Sequence, residues 1–436
     1  MRKYGLLLSL VLLAVLLAGC NVTSVDDLYA LPKRSEAYTN LQGLIDGLMQ
    51  GLEYSAPISG EHQQTVQMAD LNGDGRDEYL LFAKGTNLHI FIFSREENEC
   101  RLLDHIESAG NAFQQVEYVD MDHRGGVEIV VGRQLTDNIS RALSVYSLRS
   151  GQIEEILKTT CSKFVCPDMD GDGDRELVLL RSNQTEGGNG IAELYDMQGL
   201  QLERVAQANM SRPAGSIKRI MVGKLYEGNP AVYVASDAGN DALITDVYAL
   251  VNKQFTNISF SNESGTSIQT LRSYYVYAVD FDKDGILELP DLIDVKEPEG
   301  MEPSQSQHVI RWYDMCADGS EVDKLYTYHN YSGGWYLQLR NDFAPKTVVV
   351  QRGNSYEFYF WNDDQSDVDK FLTIHVLTGP KREEQGTINN RFVIHRTETV
   401  VYAAQLEVAS GAYGLSREGL IHNFHLIVRD WNTGET

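Results

Sequence analysis

The chain has 436 residues, of which 62 are Asp or Glu and 37 are Lys or Arg, so its formal net charge is −25. So acidic a surface argues against a nucleic-acid ligand, whose phosphates need clusters of Lys and Arg. It equally argues against electrostatic attraction to anionic lipid headgroups. The length is sufficient for two or three domains.

The first twenty residues predict export and lipid attachment. A charged start at residues 2–3 precedes an apolar run over 6–17, which is too short for a durable membrane span. Small residues lead directly into Cys20, and this pattern resembles the lipobox of bacterial lipoproteins. The resemblance implies a signal peptide over 1–19, a diacylated Cys20 as first mature residue, and a location on the extracytoplasmic face of the cell membrane. An ordinary secretory signal is the alternative.

A polar tether over 20–35 leads to a predicted helix. In residues 36–52 apolar side chains recur at spacings of three and four, which is the period of an amphipathic helix. A helix that binds a partner is one interpretation, and a helix packed on the following domain is the favoured one. Residues 36–61 are therefore predicted to form a helix and a lead-in.

Three loops have the composition of calcium sites. Residues 70–78 (loop A) read Asp-Leu-Asn-Gly-Asp-Gly-Arg-Asp-Glu, and the pattern returns at 168–176 (loop C) and 280–288 (loop E). Positions 1, 3, 5 and 9 carry side-chain oxygens, which calcium prefers, and a glycine at position 6 permits a sharp turn. About three structural Ca2+ sites are predicted. Their expected ligands, with a backbone carbonyl at the seventh position, are Asp70, Asn72, Asp74, Arg76 and Glu78; Asp168, Asp170, Asp172, Asp174 and Glu176; and Asp280, Asp282, Asp284, Ile286 and Glu288.

A fourth loop keeps part of the pattern. In residues 120–128 (loop B), Arg124 occupies a ligand position. Because a guanidinium is permanently charged and pairs with carboxylates, Arg124 is predicted to replace the metal by folding against Asp120, Asp122 or Glu128. An Arg124 that points to solvent is the alternative.

The loops recur about every 50 residues, and residues 223–231 (loop D) mark a fifth copy that has lost nearly every ligand. Each copy is flanked by four short predicted strands, the first of the fifth copy being Tyr274–Val279. This arrangement is typical of a β-propeller blade. Strand, acidic loop and strand together resemble the FG-GAP or VCBS repeat of integrin α-subunit heads and bacterial surface proteins. The resemblance covers 62–330 and implies a calcium-binding β-propeller with five visible blades, or with six or seven.

The competing interpretation of the loops is an EF-hand. That motif needs an acid at position 12 and flanking helices. Position 12 is Leu81 in loop A and Leu179 in loop C, and only loop E supplies an acid, Asp291. Pro290 opposes a helix there. Strands are therefore predicted on both sides of the loops, with recruitment of Asp291 left open.

Residues 331–436 are predicted to form a small α+β domain. Six short strands are followed by a helical pattern over Ser416–Trp431. The order weakly resembles the PsbP/Mog1-like sandwich of exported proteins. A sixth blade hidden in its first strands is the alternative.

The sequence contains no nucleophile motif, phosphate loop or dinucleotide-binding fingerprint. The predicted function is that of a surface binding, adhesion or envelope-interaction module whose partner is an extracellular protein or glycan. The alternative is an extracellular glycan-active enzyme or its accessory subunit, since FG-GAP-like propellers also occur in polysaccharide lyases. A purely architectural envelope component is the third hypothesis.

Overall fold

A computed structural model describes residues 36–427, with gaps at 97–98, 136–140, 184–187, 294–308, 343, 362–367, 408–409 and 412–413. The predicted signal peptide, Cys20 and the tether lie outside the described residues. Among the residues that are described, no helix has the length and apolar character needed to cross a bilayer.

The described strands form six antiparallel sheets, numbered here in chain order. Sheet 1 contains β1 (Glu53–Tyr54), β2 (Val66–Ala69), β3 (Glu78–Lys84), β4 (Leu88–Glu96) and β5 (Glu99–Ser108). Sheet 2 contains β6 (Ala112–Val119), β7 (Glu128–Gln134), β8 (Arg141–Arg149) and β9 (Gln152–Cys161). Sheet 3 contains β10 (Lys163–Val165), β11 (Leu177–Ser182), β12 (Gly190–Gln198) and β13 (Gln201–Asn209).

The other three sheets complete the described fold. Sheet 4 contains β14 (Ile217–Lys224), β15 (Pro230–Gly239), β16 (Ala242–Val251) and β17 (Gln254–Asn257). Sheet 5 contains β18 (Leu289–Ile293), β19 (Val309–Met315), β20 (Glu321–Asn330), β21 (Trp335–Leu339) and β27 (Phe424–Leu426). Sheet 6 contains β22 (Thr347–Arg352), β23 (Ser355–Trp361), β24 (Val368–Thr378), β25 (Phe392–Arg396) and β26 (Val400–Leu406). The helices are α1 (Glu36–Leu48), α2 (Arg382–Gln385) and α3 (Arg417–Asn423).

The prediction of a mainly β chain is confirmed, and its inner strands explain how consecutive sheets pack. Successive side chains of a strand point to opposite faces. On β7, Ile129 and Val131 join a core shared with sheet 1, whereas Val130 joins a core shared with sheet 3. The same alternation recurs on β11 and β15. Each inner strand therefore serves two cores, which is why these strands are almost continuously apolar.

Five sheets share one irregularity, a register shift between two consecutive antiparallel strands. After β4, β8, β12, β19 and β23, the register shifts by one residue against the next strand. The extra residue, called here the bulge residue, is Leu103, Ile156, Val205, Lys324 or Phe371 in sheets 1, 2, 3, 5 and 6. Four of the five are apolar, and Lys324 is the exception.

Helix α1 packs against sheet 1, as favoured from the sequence. Its Ile45 is buried in a cluster with Phe91 and Phe93. The helix ends at Leu48, before the predicted end at residue 52, and Gly51 then adopts a left-handed φ of 82°.

Two predicted elements are wrong. Tyr274–Val279 forms no strand: only Val279 pairs, in a single bridge with Glu288. The buried Arg272 donates from Nε to the Val276 carbonyl at 2.5 Å and curls this segment. The predicted helix over Ser416–Trp431 ends at Asn423, because the next residues pair with β21 and bury Phe424 against Trp335.

The predicted domain boundary at residue 330 falls inside the β20–β21 hairpin, in which Asn330 pairs with Trp335. One core also contains Val309 of β19, Phe358 of β23 and Phe424 of β27. Sheets 5 and 6 therefore pack together across that boundary, and the division into two domains stays a prediction.

Candidate cation-binding loops

Loops A, B, C and E share one hydrogen bond that sets their shape. In each, the second residue donates its backbone N–H to the glutamate at position 9, with N–O distances of 2.9, 3.0, 2.5 and 2.9 Å in that order. The four glutamates, Glu78, Glu128, Glu176 and Glu288, are all buried. Because each stands at or next to the start of the following strand, the sheet holds its carboxylate beneath the loop.

The backbone turns in the same way in all four loops. The sixth residue is Gly75, Gly125, Gly173 or Gly285, with φ between 80° and 101°. An L residue with a Cβ adopts this region only under strain, so the glycine predicted from the sequence is required by the conformation. The turn also brings N–H groups onto the first acid. Asp70 accepts hydrogen bonds from the amides of residues 73, 74 and 75 at 2.8, 3.2 and 2.8 Å.

Three loops bring carboxylates together closely enough to hold a metal ion. In each triad the candidate ligand oxygens lie within 4.8 Å of one another. The triads are Asp120, Asp122 and Glu128 in loop B; Asp168, Asp170 and Glu176 in loop C; and Asp280, Asp282 and Asp284 in loop E. Clustered carboxylate oxygens suit a hard divalent cation such as Ca2+. The sequence prediction named loops C and E, and in loop B it expected Arg124 in place of a metal.

Loop A differs because its third position is an amide. Asn72 Nδ2 lies 3.0 Å from Glu78 Oε1 and 3.4 Å from Asp74 Oδ2. The amide nitrogen of Asn72, and not its oxygen, therefore faces these carboxylates, and loop A is not among the loops whose acids form a close triad. The carbonyl ligands expected from Arg76, Asp174 and Ile286 stay predictions.

Burial changes the acidity of the glutamates. It raises the pKa of Glu176 to about 7, with further contributions from Asp170, Asp196 and Asp172. It raises the pKa of Glu288 likewise to about 7. The pKa values of Glu78 and Glu128 are also raised, chiefly by burial. A cation within the loop would oppose this shift, because it favours the ionised carboxylate.

Arg124 lies at the edge of loop B. Its Nε is 3.4 Å from Asp122 Oδ2, and 58% of its side chain is exposed. The predicted contact with Asp122 is therefore present, but the guanidinium is not enclosed by the loop. Replacement of a metal by Arg124 stays a prediction.

Loop E contains a cation that the sequence analysis missed. Lys324 Nζ lies 2.9 Å from Asp282 Oδ2, 3.2 Å from Asp284 Oδ2, 3.7 Å from Glu288 Oε1 and 3.9 Å from Asp314 Oδ2. Lys324 is the bulge residue of sheet 5, and Asp314 is a buried acid on β19. The signal that could have found Lys324 is its alignment with the apolar residues Leu103 and Ile156.

The loops also contact one another at the junctions between sheets. Val127 of loop B donates its N–H to the Asp70 carbonyl at 3.1 Å, and Arg175 of loop C donates to the Asp120 carbonyl at 3.0 Å. Lys224 of loop D donates to the Gly285 carbonyl at 2.8 Å. The conformation of one loop therefore influences the position of the next sheet.

A separate cleft of about 780 Å³ lies where sheet 1 meets sheet 2. Its walls carry both signs of charge, from Asp104, Glu155, Arg133 and Lys158, together with the imidazole of His105. Arg133 is buried, and its Nη2 donates to Ser144 Oγ at 2.7 Å, so this part of the wall is held in place.

No protein-family model matches the chain, and no curated protein matches it. Among solved structures, it is similar to the exotype rhamnogalacturonan lyase YesX, at 13% identity and a TM-score of 0.27. The similarity covers 74% of this chain and 63% of the lyase chain. The superposition is too loose to bring the activity of that protein to this one.

Proposed function

We propose that the chain is a lipid-anchored binding module on the extracytoplasmic face of the cell membrane, built as an FG-GAP-like β-propeller and stabilised by calcium. The observation that carries the proposal is one loop geometry repeated four times, each time with a buried glutamate beneath the loop. Six sheets packed in chain order supply enough blades for a six-bladed propeller, which also gives residues 344–406 a place as the sixth.

The role of calcium in this proposal is structural. All expected ligands of a loop come from nine consecutive residues, and loops A to C are connected by backbone hydrogen bonds. An ion that binds only the folded loop stabilises the fold by about 2.7 kcal/mol when its concentration is 100 times its Kd. Without the ion, neighbouring carboxylates repel.

The binding role rests on the cleft between sheets 1 and 2. The cleft carries positive and negative side chains together with hydrogen-bonding groups. This lining suits a polar extracellular ligand, either a glycan or a segment of a protein. Sheets 1 and 2 share one buried core next to the cleft, which fixes the two sheets against each other. The membrane partner is lipid, through the acyl chains expected on Cys20, since two chains anchor a protein stably.

Calcium dependence is tested on the chain from residue 20 onward, with Cys20→Ser to keep it soluble. We expect calcium to raise the melting temperature by several degrees over a chelator. Glu176→Gln in loop C should remove part of that rise. Glu203→Gln, an exposed site on the same sheet, is the matched control. A melting temperature that is identical with calcium and with chelator would refute structural calcium.

Ligand binding and anchoring need separate measurements. A panel of extracellular polysaccharides and proteins is assayed for binding and for release of products. Binding without products, weakened by Lys158→Glu in the cleft, supports the module. Product release supports the glycan-active alternative. If neither binding nor product release is observed, a binding role for those ligands is contradicted.

The lipid anchor is tested by fractionation of cells. Cys20→Ala should move the full chain out of the membrane fraction, and unchanged fractionation would contradict the lipid anchor.

A further inference from the structure

The acids of loop E already surround a positive charge from elsewhere in the chain. Lys324 Nζ forms its two closest contacts with Asp282 and Asp284, at 2.9 and 3.2 Å. These two aspartates belong to the triad whose oxygens could coordinate a metal. A calcium ion would have to lie within about 2.6 Å of the same oxygens. The ammonium and the metal therefore compete for one space.

The buried groups below the loop also face this ammonium. Glu288 is fully buried, and its Oε1, 3.7 Å from Nζ, accepts no hydrogen bond. Asp314 is 2% exposed and its Oδ2 lies 3.9 Å from Nζ. In loop B the corresponding oxygen, Glu128 Oε1, instead accepts a hydrogen bond from Ser147 at 2.8 Å. Loop E thus lacks the hydroxyl that serves loop B and has a lysine nearby.

The bulge explains how the lysine reaches the loop. Lys324 stands opposite the step from Trp312 to Tyr313, where β20 carries one residue more than β19. The bulge residues of sheets 1, 2 and 6 at the same step are Leu103, Ile156 and Phe371, and they pack in hydrophobic clusters. A lysine in place of an apolar residue at the bulge position is therefore enough to bring a positive charge beside loop E, and the backbone need not change.

We infer that Lys324 is the resident cation of loop E, so that calcium enters this loop only when the ammonium is withdrawn. The inference rests on the proposed function, because it assumes that loops of this pattern bind calcium when nothing occupies them. It makes the chain's calcium sites unequal: loops A and C bind the ion, and loop E is held together by the protein itself. The stability of sheet 5 should then be independent of calcium.

The test is calcium stoichiometry, measured by isothermal titration on the soluble chain from residue 20 with Cys20→Ser. Lys324→Met keeps the length of the side chain and removes its charge. We expect this variant to bind one more calcium ion than the parent, and to lose the added ion when Asp280→Asn and Asp282→Asn are combined with it. Lys253→Met, at an exposed lysine between β16 and β17, is the matched control and should leave the stoichiometry unchanged.

A second experiment leaves Lys324 unchanged and removes two acids of loop E. Asp280→Asn with Asp282→Asn in the parent should leave stoichiometry unchanged if the loop holds lysine. Loss of one ion in that variant, or a folded Lys324→Met chain that gains none, overturns the inference. Failure of the proposed function looks different: the parent would bind no calcium at all, and Glu176→Gln in loop C would change nothing.

Discussion

Loops C and E have the same nine-residue pattern but different surroundings. Both begin Asp-x-Asp-x-Asp-Gly, and both place a buried glutamate under the backbone N–H of the second residue. The bulge residue of sheet 3, which follows loop C, is Val205, whereas that of sheet 5, which follows loop E, is Lys324. We infer that this residue, 29 positions beyond the glutamate in loop C and 36 in loop E, decides which cation each loop accepts.

This comparison teaches that a metal-binding pattern specifies a set of oxygens and not their occupant. A carboxylate triad is stabilised by calcium, by a guanidinium or by an ammonium, according to which positive charge lies nearest. In sheet 5 the bulge position supplies this charge, because Lys324 Nζ lies 2.9 Å from Asp282 Oδ2.

The largest effect is expected from removing a ligand in loop C. Asp170→Ala should weaken calcium binding at this loop by about 100-fold, and about 2.7 kcal/mol of calcium-dependent stability should be lost at saturating ion. Asp282→Ala at the same position of loop E should leave the calcium dependence unchanged. Chemical unfolding with calcium and with chelator measures both. Equal losses in the two variants would abolish the distinction between the loops.

The converse substitution should convert loop C into a copy of loop E. Val205→Lys places a lysine on the bulge of sheet 3, the register position that Lys324 has in sheet 5. We expect calcium affinity at this loop to fall by at least about tenfold, which corresponds to about 1.4 kcal/mol. Val205→Met controls for the longer side chain and should bind calcium as the parent does. If both variants bind equally well, the position of the bulge residue does not control the loop.

A smaller effect is expected from pH in the presence of a chelator. The pKa of Glu176 is raised to about 7 from an ordinary value near 4.5. The proton is therefore held more tightly in the folded state, and its contribution to stability is complete below pH 4.5 and lost as pH rises through 7. After allowance for solvent screening, the loss is about 1–2 kcal/mol.

Comparison of the parent with Glu176→Gln isolates this contribution, because the glutamine does not titrate. The difference between their unfolding free energies should change between pH 4 and pH 8 in chelator. With saturating calcium the parent should instead gain stability as pH rises, because the ion binds the ionised carboxylate. A difference that is constant with pH in chelator would contradict the raised pKa.

The smallest effect is expected in loop B, which combines an acidic triad, as in loop C, with a nearby cationic side chain, as in loop E. Arg124 pairs with Asp122 but is largely exposed, so Arg124→Ala should cost less than about 1 kcal/mol at low calcium. Arg124→Asp should add a calcium site by completing the acidic pattern, which isothermal titration would detect. Arg101→Asp, at an exposed residue of β5, is the control for a general change in charge. No added site in Arg124→Asp would contradict the prediction that loop B is a converted cation loop.

The sequence predicted the parts of the fold that are encoded locally. Glycines such as Gly75 and Gly173 occupy left-handed turns, because the conformational freedom of a single residue is sufficient to specify the turn. Apolar runs such as 177–180 form inner strands, because burial on both faces requires a continuous run of apolar residues. The predictions failed where distant residues decide. Phe424 continues a helical pattern, but burial against Trp335 places it in a strand. Lys324 reaches loop E through a register shift that no local pattern reveals.

The return of β27 to sheet 5 sets an order for folding. Residues 335–339 gain their last neighbour from residues 424–426, and the whole of sheet 6 lies between them in the chain. During synthesis, sheets 1 to 4 can form from segments that emerge together, but the edge of sheet 5 must wait for the final described strand. Such a long sequence separation makes this pairing slow. The edge left unpaired in the meantime is where an incomplete chain would be most open to aggregation or to a chaperone.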